Sequence, residues 1–255
     1  MSRWLKALPL TLALAALGIF ATSCGSSSNL AQIRFVHAIP DANALDVAVY
    51  GPQAVNGTQL FFDVAFRAVL PSSGYTTVPS DTDTIEGFVN PTDTTEVFSD
   101  AVNWSAGLQY TVIATGSATG ANGSNVVLWS IPDDNSAPAS NYVEFRVINA
   151  SPHSPPGGVD VYIDAIPVQS MGNPVLSGLA YQQVSKYVSL AFFPDNNSNN
   201  INYGYELYVT QSGSTTPIFS QYLGPGDNTI HTLVLTDVQG GNAMNPLALE
   251  LTDLD

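Results

Sequence analysis

An all-β fold, arranged as two tandem antiparallel β-sandwich domains behind a removable N-terminal segment, is what this sequence predicts. Three observations carry the expectation. Beyond position 30 the apolar residues come in runs of four to eight, rich in Val, Ile, Thr, Tyr and Phe, with Gly, Pro, Asn and Asp between them about every ten residues. No part of that stretch carries a convincing 3.6-residue apolar stripe. Sequence landmarks also recur in one order at a spacing of about 110 residues.

The chain opens with Arg3 and Lys6, an apolar stretch from Ala7 to Phe20, and the small residues Ala21, Thr22 and Ser23 before Cys24. Charge, apolar core and small residues in that order read as a secretory signal over residues 1–23. The apolar run is about 14 residues, short of the roughly 20 that a spanning helix needs. Ala21-Thr22-Ser23-Cys24 resembles the lipobox of bacterial lipoproteins, with Ala21 where Leu is commonest. That resemblance implies that Cys24 carries the lipid. Cys24 is the only cysteine, so it has no intramolecular disulfide partner. Gly25-Ser26-Ser27-Ser28-Asn29 then reads as a flexible tether, so that residues 24–30 join anchor to body.

The first domain is expected over residues 31–131 and the second over 142–255, because their landmarks match. Arg34-Phe35-Val36-His37-Ala38 recurs as Arg146-Val147-Ile148-Asn149-Ala150, and Asp46-Val47-Ala48-Val49-Tyr50 as Asp160-Val161-Tyr162-Ile163-Asp164. Ala65-Phe66 and Val69 return as Ala180-Tyr181 and Val184, and Tyr110-Thr111-Val112-Ile113 as His231-Thr232-Leu233-Val234. Pro40 and Pro152 close the first strand of each unit, where a missing N–H does least harm to a ladder. Residues 132–141 hold two prolines and no apolar period, and read as a short stiff linker.

The blocks Arg34-Phe35-Val36-His37-Ala38-Ile39-Pro40-Asp41-Ala42 and Asp46-Val47-Ala48-Val49-Tyr50-Gly51 resemble the opening of the domain of unknown function 4397 family. Asn149-Ala150-Ser151-Pro152-His153-Ser154-Pro155 with Val159-Asp160-Val161-Tyr162-Ile163-Asp164 is similar, as is the join around Asp133-Asp134-Asn135-Ser136-Ala137-Pro138. The resemblance implies secreted or lipid-anchored bacterial proteins with tandem immunoglobulin-like domains. It brings no catalytic residues.

Composition narrows the partners. Six basic residues face 21 acidic ones, and removing Arg3 and Lys6 with the signal leaves four against 21, about −17. Such a chain has no basic footprint for nucleic-acid phosphates and is repelled by anionic lipid headgroups, so membrane association must come from an anchor. No G-x-S-x-G, S-x-x-K or H-E-x-x-H motif occurs, nor a Gly-rich phosphate loop between strand and helix, which argues against serine hydrolases, zinc proteases and nucleotide binding. Tandem copies of one small sandwich leave no dedicated catalytic domain, although carboxylate pairs suited to glycoside hydrolysis are not legible in sequence.

Several residues qualify as site candidates. Counted from Asp195, oxygen-bearing side chains at Asp195, Asn197, Asn199 and Glu206 fall at places 1, 3, 5 and 12, as in a calcium loop, with Asn200 where such a loop has glycine. Asp81, Asp83 and Glu86 form a second acidic loop. Tyr203, Tyr205, Tyr208 and Tyr222 could supply a stacking face for sugars, of which Tyr203, Tyr208 and Tyr222 are the ligand-binding candidates. Arg34 and Arg146, recurring with Asp46 and Asp160, suggest an Arg–Asp pair that ties neighbouring strands. His37, whose counterpart is Asn149, suits a turn hydrogen bond better than a metal or a proton transfer.

The sequence therefore leads to a non-catalytic lipoprotein of the bacterial envelope, most consistent with the outer membrane and facing the periplasm or the cell surface. It would present tandem domains for adhesion or scaffolding, with an envelope protein or polysaccharide as partner. The alternative is a carbohydrate-binding protein assisted by calcium. No nucleotide or other cofactor is expected.

Overall fold

A computed structural model describes residues 29–51, 58–80, 82–89, 95–120, 125–166, 171–192, 204–245 and 247–254. The predicted signal segment, Cys24, Asp81, Asp195, Asn197, Asn199 and Tyr203 lie outside the described residues. Every regular element described is a β-strand.

The first sandwich comprises β1 (Leu30–Ala38), β2 (Leu45–Tyr50), β3 (Thr58–Val64), β4 (Val69–Leu70), β5 (Thr76–Pro79), β6 (Thr82–Val89), β7 (Glu96–Asn103), β8 (Gln109–Thr115) and β9 (Val127–Asp133). The second comprises β10 (Tyr142–Asn149), β11 (Val159–Ala165), β12 (Leu176–Leu179), β13 (Gln183–Val184), β14 (Val188–Ala191), β15 (Tyr205–Gln211), β16 (Pro217–Leu223), β17 (Ile230–Leu235) and β18 (Leu249–Leu254). β9 reaches Asp133, two residues into the stretch read as linker.

Each sandwich stacks two sheets. One runs β4-β1-β8-β9, with β5 also on β1; the other runs β3-β2-β6-β7. In the second sandwich the orders are β13-β10-β17-β18, with β14 on β10, and β12-β11-β15-β16. The nine strands of one sandwich thus correspond one to one with those of the other. Registers agree as well, since Ile33 lies opposite Tyr110 and Phe145 opposite His231. β1–β8 and β10–β17 are parallel pairs in the middle of otherwise antiparallel sheets, a departure from a wholly antiparallel immunoglobulin-like sandwich.

Alternation along the strands builds two cores. Ile33 and Phe35 of β1, Val47 and Val49 of β2, Ile85 of β6 and Val112 of β8 point into the first, around which Phe35 stacks on Phe61 and Phe98. Phe98 also occupies the space above Gly87, where an added Cβ would come within 2.3 Å of its ring. The second core gathers Phe145, Val161, Ile163, Leu207, Val209 and Leu233. Tyr205 belongs to it too: its ring meets Phe145 edge-on and its hydroxyl donates to the Ala191 carbonyl.

A third cluster joins the two bodies. Val36, Ala38, Ile113 and Ile131, on the other face of the β1 sheet, pack against Ile148, Ala150, Val234 and Leu251 from the β10 sheet. The protein is therefore four sheets deep, and β1 and β10 are buried on both faces. Strands covered on both faces carry apolar residues at successive positions, as Phe35-Val36 and Ala38-Ile39 do between the buried Arg34 and His37.

Candidate functional site

The recurring arginines lie in the interface between the sandwiches. In β1, Arg34 alternates with Phe35 and so shares the outward face with Val36 and Ala38; Arg146 does the same in β10. Arg34 donates from Nε to Thr111 Oγ1 at 2.9 Å and from Nη1 to the Thr252 carbonyl at 3.2 Å, and pairs through Nη2 with Asp253. Arg146 mirrors this with Thr232 Oγ1 at 3.1 Å, the Pro132 carbonyl at 3.0 Å and Asp133 at 2.5 Å. Each arginine thus reaches the carboxylate of the other sandwich, while Thr111 and Thr232 donate to the carboxylate of their own.

Tyr75 and Tyr187 close the arrangement, with the guanidinium carbons 5.2 and 4.9 Å from their ring centroids. Burial opposes the charge on Arg34, but Asp253 and Asp133 outweigh it and raise the guanidinium pKa above its ordinary value. Burial likewise pushes the hydroxyls of Tyr75 and Tyr187 upward.

This corrects the expected pairing with Asp46 and Asp160. β1 and β2 lie in different sheets of one sandwich, with a core about 10 Å thick between them. Asp46 instead accepts the Asp63 N–H at 2.6 Å, and Asp160 accepts the N–H groups of Gly178 and Gly213, both at 2.8 Å. A sequence signal for the real partners did exist: Ile131-Pro132-Asp133 and Leu251-Thr252-Asp253 match one another at the close of the last strand of each unit.

His37 takes the predicted turn role. Its Nδ1 accepts the Ile39 N–H at 3.2 Å, as Asn149 Oδ1 accepts that of Ser151 at 3.2 Å, and burial lowers its pKa to about 4. His231, the counterpart of Tyr110, is also buried, with Nε2 2.7 Å from Thr229 Oγ1.

Where the sandwiches meet beyond Pro40 and Pro152 there is a cavity of about 80 Å³. Its walls include Asp41, Ser117, Thr119, His153 and Asp237. Burial would raise the Asp41 pKa, but bonds from the Ser117 and Thr119 hydroxyls and the Ala118 and Thr119 N–H groups hold it at about 2. Asp237 accepts from the Ser151 hydroxyl and lies 2.6 Å from His153 Nδ1. Both carboxylates are thus engaged by a neighbouring loop of their own sandwich.

The acidic-loop reading of Asp81, Asp83 and Glu86 does not hold for its two described members. Asp83 turns inward at 2% exposure, whereas Glu86, an odd number of places along β6, lies on the outer face beside Ser99. Among the described residues no group of three His, Cys, Asp or Glu side chains could hold a metal ion.

The tyrosines divide between two faces. Tyr205 lies inside the core and leaves the stacking set. Tyr208 and Tyr222 are on the outer face of the β12-β11-β15-β16 sheet, where Tyr208 stands opposite Tyr162, and Tyr222 opposite Glu206. Tyr222 is 50% exposed, its ring lying along Gly204 and Gly224. Desolvation, with the nearby carboxylates of Glu206 and Asp164, raises the Tyr208 pKa. In the first sandwich the outer positions that correspond to Tyr162 and Tyr208 carry Ala48 and Glu86.

Residues 31–157 match the family model described as Domain of unknown function (DUF4397). Over this stretch the chain belongs to the DUF4397 family. The matched segment spans the first sandwich, the linker, β10 and its following turn, so it contains Arg34, Asp133 and Arg146 of the buried cluster. A search of the curated proteins finds no match.

Proposed function

We propose that this is a non-catalytic protein of the bacterial envelope, held by a lipid on Cys24, in which two domains, residues 31–131 and 142–255, present their outer sheets to a partner. The observation that supports this reading best is the use of the inner sheets. They are consumed by the interdomain contact, which leaves the β3-β2-β6-β7 and β12-β11-β15-β16 sheets as the free faces of one body. Processing that is blocked by globomycin, and palmitate labelling that is lost in Cys24→Ser, are the expected results. Release of an unlabelled soluble protein by the unaltered chain would overturn the anchor.

A second reading is favoured by the outer tyrosines. Tyr208 and Tyr222, the two described members of the candidate set, share a face with Asp164 and Glu206, combining stacking surface with hydrogen-bond acceptors, which suits a polysaccharide. A thermal melt against a panel of polysaccharides, each with calcium or with chelator, tests it. A bound glycan at 100-fold saturation should stabilise the protein by roughly 2.7 kcal/mol, an effect that Tyr222→Ala should abolish. Loss of the shift in chelator would bring in the segment of Asp195, Asn197, Asn199 and Glu206, and no shift with any glycan would leave the protein-partner reading alone.

A further inference from the structure

β1 and β10 belong to the two facing sheets and run in the same direction. Arg34 and Arg146 share the same two carboxylates, while four residues on Ala38 and Ala150 lie together in the interdomain cluster, and Gly240 donates to the Pro40 carbonyl at 2.9 Å. The first residues of both strands, Leu30 and Tyr142, therefore lie at one end of the molecule, opposite Pro40, Pro152 and Gly240. The β7–β8 turn is there too, because the Gly107 N–H donates to the Leu30 carbonyl and the Gln32 N–H to the Leu108 carbonyl. So is the interdomain linker, which runs from the end of β9 to the start of β10.

Three of the exposed large apolar side chains belong to this end: Leu30 at 42%, Leu108 at 46% and Tyr142 at 41%. Leu30 stands only six residues after Cys24 in the sequence. Fully extended, six residues reach about 20 Å.

We propose that this end rests on the lipid bilayer, with Leu30, Leu108 and Tyr142 at the boundary between headgroups and acyl chains. The inference rests on the anchor reading above and adds an orientation to it: a lipid on Cys24 leaves no room for this end to face away from the surface. Two leucines and a tyrosine suit that boundary, where tyrosine places its ring among acyl chains and its hydroxyl among headgroups. Asp134 and Asp227, exposed on the same end, make the preferred surface zwitterionic rather than anionic. The opposite end, with Gln239 and the cavity around Asp41 and Asp237, then faces away from the membrane.

The test uses the full lipidated chain in vesicles. With Cys24 occupied by lipid, Leu108→Cys supplies the single free thiol for a fluorophore, and Gln239→Cys reports from the far end. With nitroxide-bearing phosphatidylcholine, the label at position 108 should lose about half of its emission, as expected for a group about 5–10 Å into the boundary, and the label at 239 none. The loss should shrink when phosphatidylglycerol replaces part of the phosphatidylcholine. Tyr142→Cys gives an independent reporter on the second sandwich. Flotation with the vesicles but equal quenching at 108 and 239 overturns the orientation and leaves the anchor standing. A chain that does not float with vesicles overturns both.

Discussion

His37 shows how one buried side chain sets a pH dependence. It is fully out of water, and burial lowers its pKa from 6.5 to about 4, so it stays neutral in the folded protein through mildly acidic conditions. Below pH 6.5 the unfolded chain takes a proton at this residue that the folded chain refuses, so stability falls as pH drops from about 6.5 to about 4. The full effect of such a shift is on the order of 3 kcal/mol. His37→Asn should remove this acid limb while keeping the bond to the Ile39 N–H, since Asn149 makes the equivalent bond in the second sandwich. Urea midpoints at pH 7 and pH 4.5 measure the difference; an unchanged acid slope in His37→Asn would place the titrating group elsewhere. This role was legible in the sequence because the repeat set Asn against His, and the hydrogen-bonding capacity they share is what a turn uses.

At the scale of elements, the closing strands β9 and β18 matter more than their edge positions suggest. Each carries, at or next to its last position, an aspartate whose side chain is wholly withdrawn from water and meets the arginine of the other sandwich. Removing one partner of a buried pair strands the other, so Arg34→Met should cost about 3–5 kcal/mol. Arg34→Met combined with Asp253→Leu should recover much of that loss, because the second change removes the stranded carboxylate and leaves Arg146 paired with Asp133. Urea denaturation of the two single variants and the double variant provides the cycle, and simple addition of the two losses would show that the pair is not coupled. The arginines and both aspartates stood in plain view in the sequence, yet the pairing expected was with Asp46 and Asp160. Sequence spacing placed β1 next to β2 along the chain, whereas in space they belong to opposite sheets.

For the whole molecule, the third apolar cluster decides whether the sandwiches unfold together. Arg34, Arg67 and Arg146 are three of the four basic residues that follow Cys24, and all three bond across the interface, Arg67 through its 3.0 Å bond to the Leu247 carbonyl. With Ile148 and its neighbours fully buried against the opposite sheet, calorimetry should show a single cooperative transition. Ile148→Asp places an unpaired charge in that contact and should split the transition in two, the second sandwich melting first. Two independent transitions in the unaltered protein would mean that the contact adds little.

The richness in strands and the repeat that matches one sandwich to the other were legible along the chain. These follow from local alternation, turn residues and repetition, which are properties of neighbouring residues along the chain. The stacking of the sheets alone reveals that the outer face of β1 is covered by the other sandwich, that the arginines cross to its aspartates, and that Tyr205 turns inward while Tyr208 and Tyr222 face out. A strand's two faces differ by one residue in register, and which face meets a core depends on how whole sheets stack, a relation between residues that are not neighbours along the chain.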